Sequence, residues 1–432
     1  MRKHNVSEVT TSRRSLNGLV VLLGLVLAGC ASGAELDTLK PQSDVARSID
    51  DLMDPVLAVA GVVMVIICGA ILYMAMRNRV SDYEELDFPE QIHGNNTLEV
   101  TWTIVPAIIM ALIAVATVVT HLAVNGTEAN AYSVDVAGET ESWEPVVVVV
   151  GQQWWWEYRY YFDQDIDGEA LGDPRNLPEA DIVTSGQMAI PVGEEIELII
   201  SSRDVIHSHW IPALNGKRDA RPGFWTPWKL EADDPGVYFG QCTEFCGLSH
   251  SRMRMQVTAM TDADFQAWVD QQMAPAEVPA GAEDYVAELR AGNNASLGDS
   301  DSAPARGLEA FVSNCSSCHL INGVNDLSYS GASTESGSAP DLTHFASRTT
   351  FAGGIFNTYN RDGSLNRDDL SAWLRNPQAM KGNAANDLGD GVAPRGMPTL
   401  GLGERTISDL VAYLETLGPK PSDELLAQTE VD

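Results

Sequence analysis

The sequence predicts a membrane protein of three parts: a transmembrane hairpin of two helices, an all-β domain, and an all-α domain at the carboxyl end. Three observations carry this. Residues 55–76 and 103–123 hold no Asp, Glu, Lys or Arg, and each run, at about 1.5 Å per residue as a helix, crosses the roughly 30 Å core of a bilayer. Beyond them come short β-branched and aromatic stretches, as in Val146 to Val150 and in Trp154-Trp155-Trp156-Glu-Tyr158-Arg-Tyr160-Tyr161-Phe162, the composition of half-buried strands. Farther on, apolar residues recur at helical spacing over 305–314, 370–375 and 407–417.

The segments follow in order. Residues 1–30 read as a signal peptide: Arg2, Lys3, Arg13 and Arg14 form a basic region, Leu19 to Leu27 an apolar core, and Leu27-Ala-Gly-Cys30 a small-residue end in cysteine. That end resembles a bacterial lipobox, which makes Cys30 a candidate lipidated amino terminus of a chain starting outside the cytoplasm. Residues 31–54 form a periplasmic segment. Arg77 and Arg79 close the first span, so the positive-inside tendency puts the 77–102 loop in the cytoplasm and both outer ends on the opposite side. Pro106 should kink the second span modestly. The β domain takes residues 124–272. Residues 273–303, with Pro275, Pro279, Gly281 and a polar run after Ala291, read as a linker, and 304–432 as the helical domain. A formal charge of −33 excludes nucleic acid, whose phosphates would repel the chain, and suits a basic protein partner.

Chemistry concentrates in two motifs. In Cys242-Thr-Glu-Phe-Cys246-Gly-Leu-Ser-His250-Ser-Arg-Met253, two thiols, an imidazole and a thioether share one loop. Thiolate, imidazole and thioether together select copper over hard cations, and two thiolates at this spacing can bridge two ions. His207, in Asp204-Val-Ile-His207, follows the strand-like Ile196-Glu-Leu-Ile-Ile200 and reaches the same rim in a cupredoxin sandwich. A structural disulfide or a zinc site is the ordinary use of paired cysteines; histidine and methionine at these offsets weigh against both. The second motif is Cys315-Ser-Ser-Cys318-His319, the pattern for covalent attachment of haem c, with His319 as iron ligand. Of the six cysteines, Cys30 and Cys68 remain, and Cys68, inside an apolar run, reads as a buried packing residue. His209 reads as a neighbour of the metal site or a surface group rather than a ligand.

Over residues 50–270 these motifs resemble subunit II of haem-copper cytochrome c oxidase. The resemblance implies a Greek-key cupredoxin domain with a dinuclear CuA centre: Cys242 and Cys246 bridging two coppers, His207 and His250 capping one each, Met253 a weak axial ligand, and Glu244 giving its backbone carbonyl. It implies that Trp154 admits electrons, and that Glu99, in Glu99-Val-Thr-Trp102-Thr-Ile-Val-Pro106, admits protons to the catalytic subunit, though an acid at a membrane boundary is more economically a solvated one. The last domain resembles class I cytochromes c, in which Met397, of Arg395-Gly-Met397-Pro398, is the distal haem ligand; Met380 competes for the role. Pro340 matches the proline beside the haem histidine.

Together these imply a caa-type oxidase subunit II fused to a cytochrome c domain, in a proton-pumping terminal oxidase of aerobic respiration. Electrons would pass from haem c through CuA to the haem and CuB of a separate subunit I, which reduces oxygen to water. The implied partners are subunit I, subunit III, and as donor a c-type cytochrome or a membrane quinol-cytochrome c reductase; a Mg ion is implied at the interface with subunit I. The implied location is the bacterial inner membrane, with the copper and haem domains on the periplasmic side. A copper electron-transfer subunit of another reductase, such as a nitrous-oxide-reducing system, shares the copper loop; the hairpin and the Glu99 to Pro106 signature weigh against it. Quinol oxidase relatives lack the copper ligands that are complete here.

Overall fold

The computed structural model describes residues 34–79, 93–125, 132–136, 139–143, 146–162, 166–298, 302–328, 339–383 and 396–429. The expected signal segment, Cys30 included, lies outside the described residues. The chain divides into a unit ending at Asp37 and a compact unit Thr38–Asp432; of the first, residues 34–37 form a turn closed by the Asp37 N–H on Ala34 O.

Helices α1 (Asp44–Arg77) and α2 (Asn96–Asn125) carry the two apolar runs. Both outrun the expected spans because their polar ends are capped and anchored. The Ser43 hydroxyl accepts from the Ala46 N–H and donates to Leu214 O at 2.6 Å, and the Gln42 N–H donates to Ala213 O, so the charged start of α1 rests on the β domain. Arg47 pairs there with Asp44 and Asp233. At α2, the Asn95 side chain accepts from the Thr97 and Leu98 N–H groups, while Glu99 Oε1 accepts from the Asn95 N–H, a reciprocal cap. Val65, Ile66, Leu72, Leu112 and Leu122 are exposed, as on helices whose solvent is lipid. Cys68 is exposed among them, which corrects its reading as a buried packing residue: a run long enough to span presents its side chains to lipid rather than to a protein core.

Strands β1 (Tyr132–Val136) and β2 (Glu139–Trp143) make a hairpin. There follow β3 (Val146–Gln152), β4 (Trp155–Tyr160), the single-turn helix α3 (Gly168–Leu171), β5 (Ile182–Ser185), β6 (Gln187–Pro191), β7 (Ile196–Ser202), β8 (His207–Trp210), β9 (Lys217–Ala220), β10 (Thr226–Leu230), β11 (Gly236–Gln241) and β12 (Arg254–Met260). One sheet orders β10-β7-β3-β4-β5, a second β11-β12-β6, and β8 pairs with β9. β3 runs parallel to β7 and β12 parallel to β6, the other pairs antiparallel, which is a sandwich of the cupredoxin kind. The valine run of β3 is central and covered on both faces. Val147 and Val149 enter the main core with Trp156, Tyr158 and Tyr160, while Val148 and Val150 enter a second cluster with Tyr161, Leu171 and Leu177, the period-two division of a strand. The Tyr160 hydroxyl donates to Ala189 O and accepts from the Ala189 N–H, each at 2.9 Å, pinning the two sheets together.

Helix α4 (Asp262–Met273), capped by the Thr261 hydroxyl, buries Phe265 and Val269 in the β-domain core. The described part of the expected linker 273–303 is structured instead: it contains α5 (Glu283–Arg290), and Ala276, Ala282, Tyr285, Val286 and Leu297 are buried in the core of the helical domain. Its few apolar residues are spaced to dock on a neighbouring domain, a use that composition alone does not reveal. The helical domain continues with α6 (Ala303–Asn314), the short ladder of β13 (Thr350–Phe351) and β14 (Phe356–Asn357), α7 (Arg367–Arg375), α8 (Pro377–Met380), α9 (Glu404–Leu414) and α10 (Asp423–Gln428). Its centre is the crossing of α6 and α9. A Cβ on Gly307 would lie 2.0 Å from Asp409 O and 2.7 Å from Tyr413 Cβ, so only glycine permits this approach, and Arg306 locks the crossing through Asp409 at 2.8 Å. Gly307→Ala should destabilise the helical domain by about 1–3 kcal/mol, the usual cost of overpacking, seen as a lower thermal midpoint in calorimetry of the full chain. An unchanged midpoint would mean that the helices separate freely.

Candidate metal centres

The loop between β11 and β12 brings the soft donors together. Cys242 closes β11's end, its N–H donating to Met253 O at 2.9 Å, so the two ends of the loop meet. Cys242 Sγ and Cys246 Sγ stand 3.8 Å apart, too far for a disulfide's roughly 2.05 Å and spaced for an ion between them. His207 Nδ1 lies 4.0 Å from Cys242 Sγ, His250 Nδ1 3.6 Å from Cys246 Sγ, Met253 Sδ 4.0 Å from Cys246 Sγ, and Glu244 O 3.3 Å from Cys242 Sγ. The donor atoms of His207, Cys242 and Cys246 all fall within 4.8 Å of one another. All six residues singled out in the sequence therefore converge. Two sulfurs flanked by two imidazole nitrogens fit copper, and the burial of Cys242, Cys246, His207 and Met253 excludes water from it.

The protonation of this cluster follows from crowding. Two thiols this close in an apolar pocket do not ionise independently. Cys242 is the one held low, its thiolate stabilised by hydrogen bonding from Cys246 and His207, and its charge pushes Cys246 up. Burial alone would depress His207, but Asp204 and Cys242 outweigh it and raise the imidazole above its ordinary value. Burial pushes His209 down to about 3, so it is a neutral ring. It is a buried neighbour rather than a surface group, 3.3 Å from the Tyr158 hydroxyl and edge-on to Trp156 at 5.1 Å.

Residues outside the ligand set orient it. Asp204 Oδ1 lies 2.8 Å from His207 Nε2, and its Oδ2 accepts from the Gln153 N–H at 2.8 Å. Gln153 Nε2 and Trp154 Nε1 both donate to Cys246 O, at 2.7 and 2.9 Å. Asp204 has a signal in sequence, three positions before His207; Gln153 has none, because its partners lie 51 and 93 positions away. Glu99 stands apart from the copper loop at the start of α2, where its carboxylate is engaged in the cap.

In the helical domain the C-x-x-C-H motif sits at the end of α6, with Cys315 as its C-cap. The His319 N–H donates to Cys315 O at 2.9 Å, and Asn325 Nδ2 donates to His319 O. His319 Nδ1 lies 2.7 Å from Pro340 O, which fixes the ring and leaves Nε2 as the candidate metal donor, the second contact expected of a metal-bound histidine. Burial lowers its pKa, opposed by the Pro340 carbonyl; burial also raises the Cys315 thiol to about 11. Met397 and Cys315 both pack against the core of this domain. Met380 instead gives its carbonyl to Arg252 of the copper loop.

Paired apolar helices, a cupredoxin sandwich with soft donors at its rim, and a helical domain carrying C-x-x-C-H define a membrane electron-transfer protein. Residues 35–119 match the cytochrome c oxidase subunit II transmembrane domain, 145–260 its periplasmic domain, and 304–418 cytochrome c. Cytochrome c oxidase subunit 2 of Alkalihalophilus pseudofirmus is 30% identical over 399 residues, 91% of this chain and 94% of the relative. The same subunit of Bacillus subtilis is 29% identical over 374 residues, 84% of this chain and 88% of the relative. Quinol oxidase subunit 2 of Bacillus spizizenii is 33% identical over 265 residues, 59% of this chain and 73% of the relative. The chain belongs to the cytochrome c oxidase subunit II family and carries a C-terminal cytochrome c domain. It is a membrane protein and an electron-transfer subunit of an oxidase complex, with a copper-binding and a haem-binding domain.

Asp204→Asn preserves shape but removes the charge on His207 Nε2. In the metal-free chain the His207 pKa should fall below its ordinary value, read by NMR titration, because burial is then less opposed. Copper retention should drop by about 10- to 100-fold, the usual effect of losing such a partner, in a chelator competition. Unaltered values for both would show that Asp204 does not orient the ring.

Proposed function

We propose that this chain is the electron-accepting subunit of a caa-type, proton-pumping terminal oxidase, taking electrons at a covalently held haem c and passing them through a dinuclear CuA centre to subunit I, where oxygen is reduced to water. The observation that carries this reading is the contact of the cytochrome domain with the copper loop: Lys381 Nζ donates to Trp154 O at 2.7 Å, and Trp154 Nε1 donates to Cys246 O. Both centres, when bound, supply one-electron redox chemistry.

The residues divide the work. Cys242 and Cys246 would hold the two coppers through their thiolates, with His207 and His250 as the imidazole ligands and Met253 and the Glu244 carbonyl as the remaining donors. Cys315 and Cys318 would tether the haem and His319 would be its iron ligand. Met397 would serve as the second iron ligand in preference to Met380, because it lies on the cytochrome core while Met380's backbone is engaged at the copper domain. Trp154 bridges the two domains and is the residue through which electrons leave the haem side. Phe245 and Leu248, 77% and 71% exposed, form with Val205 and Ile206 an apolar edge of the copper rim suited to a protein partner, which we assign to subunit I. The same reading places both metal domains on the periplasmic face, Cys30 as a lipid anchor, Glu99 at the cytoplasmic boundary for proton admission, a Mg ion at the subunit I interface, subunit III alongside, and a cytochrome or quinol-cytochrome c reductase as donor.

Metal analysis of the full chain matured with haem and copper should return two coppers and one haem; one copper, or zinc, refutes the dinuclear assignment. Cys246→Ser should abolish the mixed-valence optical and paramagnetic signals and leave the haem spectrum intact. Met397→Ala should remove the methionine-sulfur charge-transfer band of the oxidised haem and lower its potential, since thioether ligation favours the ferrous state. Survival of the band in Met397→Ala with loss in Met380→Ala would reassign the ligand. After rapid haem reduction, copper reduction should proceed at a rate independent of protein concentration.

A further inference from the structure

A buried amine sits at the junction of the two metal domains. Lys381 follows α8 and is 5% exposed. Its Nζ donates to Trp154 O in the β domain and to Ala352 O in the helical domain, both at 2.7 Å. The Trp154 turn is the one that holds the Cys246 carbonyl, so this amine ties the helical domain to the backbone of the copper site. Neighbouring contacts run the same way: the Ser249 hydroxyl donates to Gly382 O, Arg252 to Met380 O, and the Arg254 N–H to Gly353 O at 3.0 Å. On the far side of the amine, Gly353 adopts φ +79°, and a Cβ there would come 2.4 Å from Lys381 Nζ and 2.7 Å from Trp154 O. The junction therefore admits a lysine only because the facing residue has no side chain. Burial, with Arg252 nearby, depresses the amine to about 7; a neutral amine still has two N–H donors, enough for both carbonyls. Burying an amine costs free energy unless its donors are matched, and here the matched partners belong to two domains rather than to one ion pair.

We propose that Lys381 is a positioning residue for transfer between the two metal domains, clasping the Trp154 turn to the helical domain so that haem and copper sites form one rigid unit rather than a tethered carrier and its acceptor. The proposal rests on the electron-transfer reading above, and the test separates the two. Lys381→Met keeps the aliphatic stem and removes both donors; Gly353→Ala wedges the same junction from the opposite side. In the full chain without copper, amide exchange over Gln153 to Trp154 and over residues 350–355 should quicken in both variants. In the loaded chain, copper reduction after rapid haem reduction should slow by roughly ten- to a hundredfold, the scale on which misplacement costs rate, with the optical spectra and potentials of both centres unmoved. Unchanged exchange in both variants overturns the clasp irrespective of any electron path. Quickened exchange with an unchanged transfer rate overturns the positioning role, and so does a slowed rate with a shifted copper spectrum, which would mean a distorted copper loop. A rate proportional to concentration in the unsubstituted chain would fell the relay reading and the positioning role with it, while exchange still decides whether the clasp exists.

Discussion

The carbonyl of Cys246 is the point on which the copper rim depends. It accepts from Gln153 Nε2 and Trp154 Nε1, and Gln153 in turn donates its backbone N–H to Asp204, which also holds His207. One closed circuit thus links the β3–β4 turn, the β7–β8 turn and the loop carrying both cysteines. A site whose ligands come from separate segments keeps its geometry only if those segments are fixed to one another. Here hydrogen bonds to a buried backbone oxygen do the fixing, and leaving any of them unmade would strand a polar group out of water.

Behind the rim, charge is buried to the same end. Glu157 accepts from Arg159 at 3.1 Å and from Arg203 at 2.9 Å, all three side chains at most 5% exposed. Such a group is weak support for stability as such, since desolvation offsets much of the attraction. Its position gives it another consequence: Arg203 directly precedes Asp204, so pairing to β4 holds the turn from which Asp204 reaches both His207 and Gln153. The amphipathic start of α1 is a second anchor of this kind, fastening the apolar hairpin to the sandwich through Ser43 and Arg47. The β domain is therefore oriented with respect to the spans by contacts outside the apolar runs.

Docking of the cytochrome domain changes what the fusion means physically. A flexible tether raises the local concentration of one domain near another, and the composition of residues 273–303 suggests such a tether. The packing of Tyr285 and Val286 into the cytochrome core and the contacts across Lys381, Ser249 and Arg252 replace that statistical proximity with a defined interface.

The sequence by itself determined what is local. Charge-free runs long enough to span, the valine run of β3, the C-x-x-C-H at a helix end, and the spacing of Cys242, Cys246, His250 and Met253 are all readable because backbone periodicity and ligand chemistry act over a few residues. Even His207 was legible, since a strand points to it. Tertiary structure alone decided what is long-range: that Cys68 faces outward, that a polar segment folds as α5 against a neighbouring core, that His209 is buried beside Tyr158, and that Lys381 meets a carbonyl 227 positions away. A lysine after a short helix looks like any solvated cation in sequence. Its role depends on which backbone oxygens the fold carries to it and on a glycine opposite with no side chain to block them, and neither leaves a mark in the residues adjacent to it.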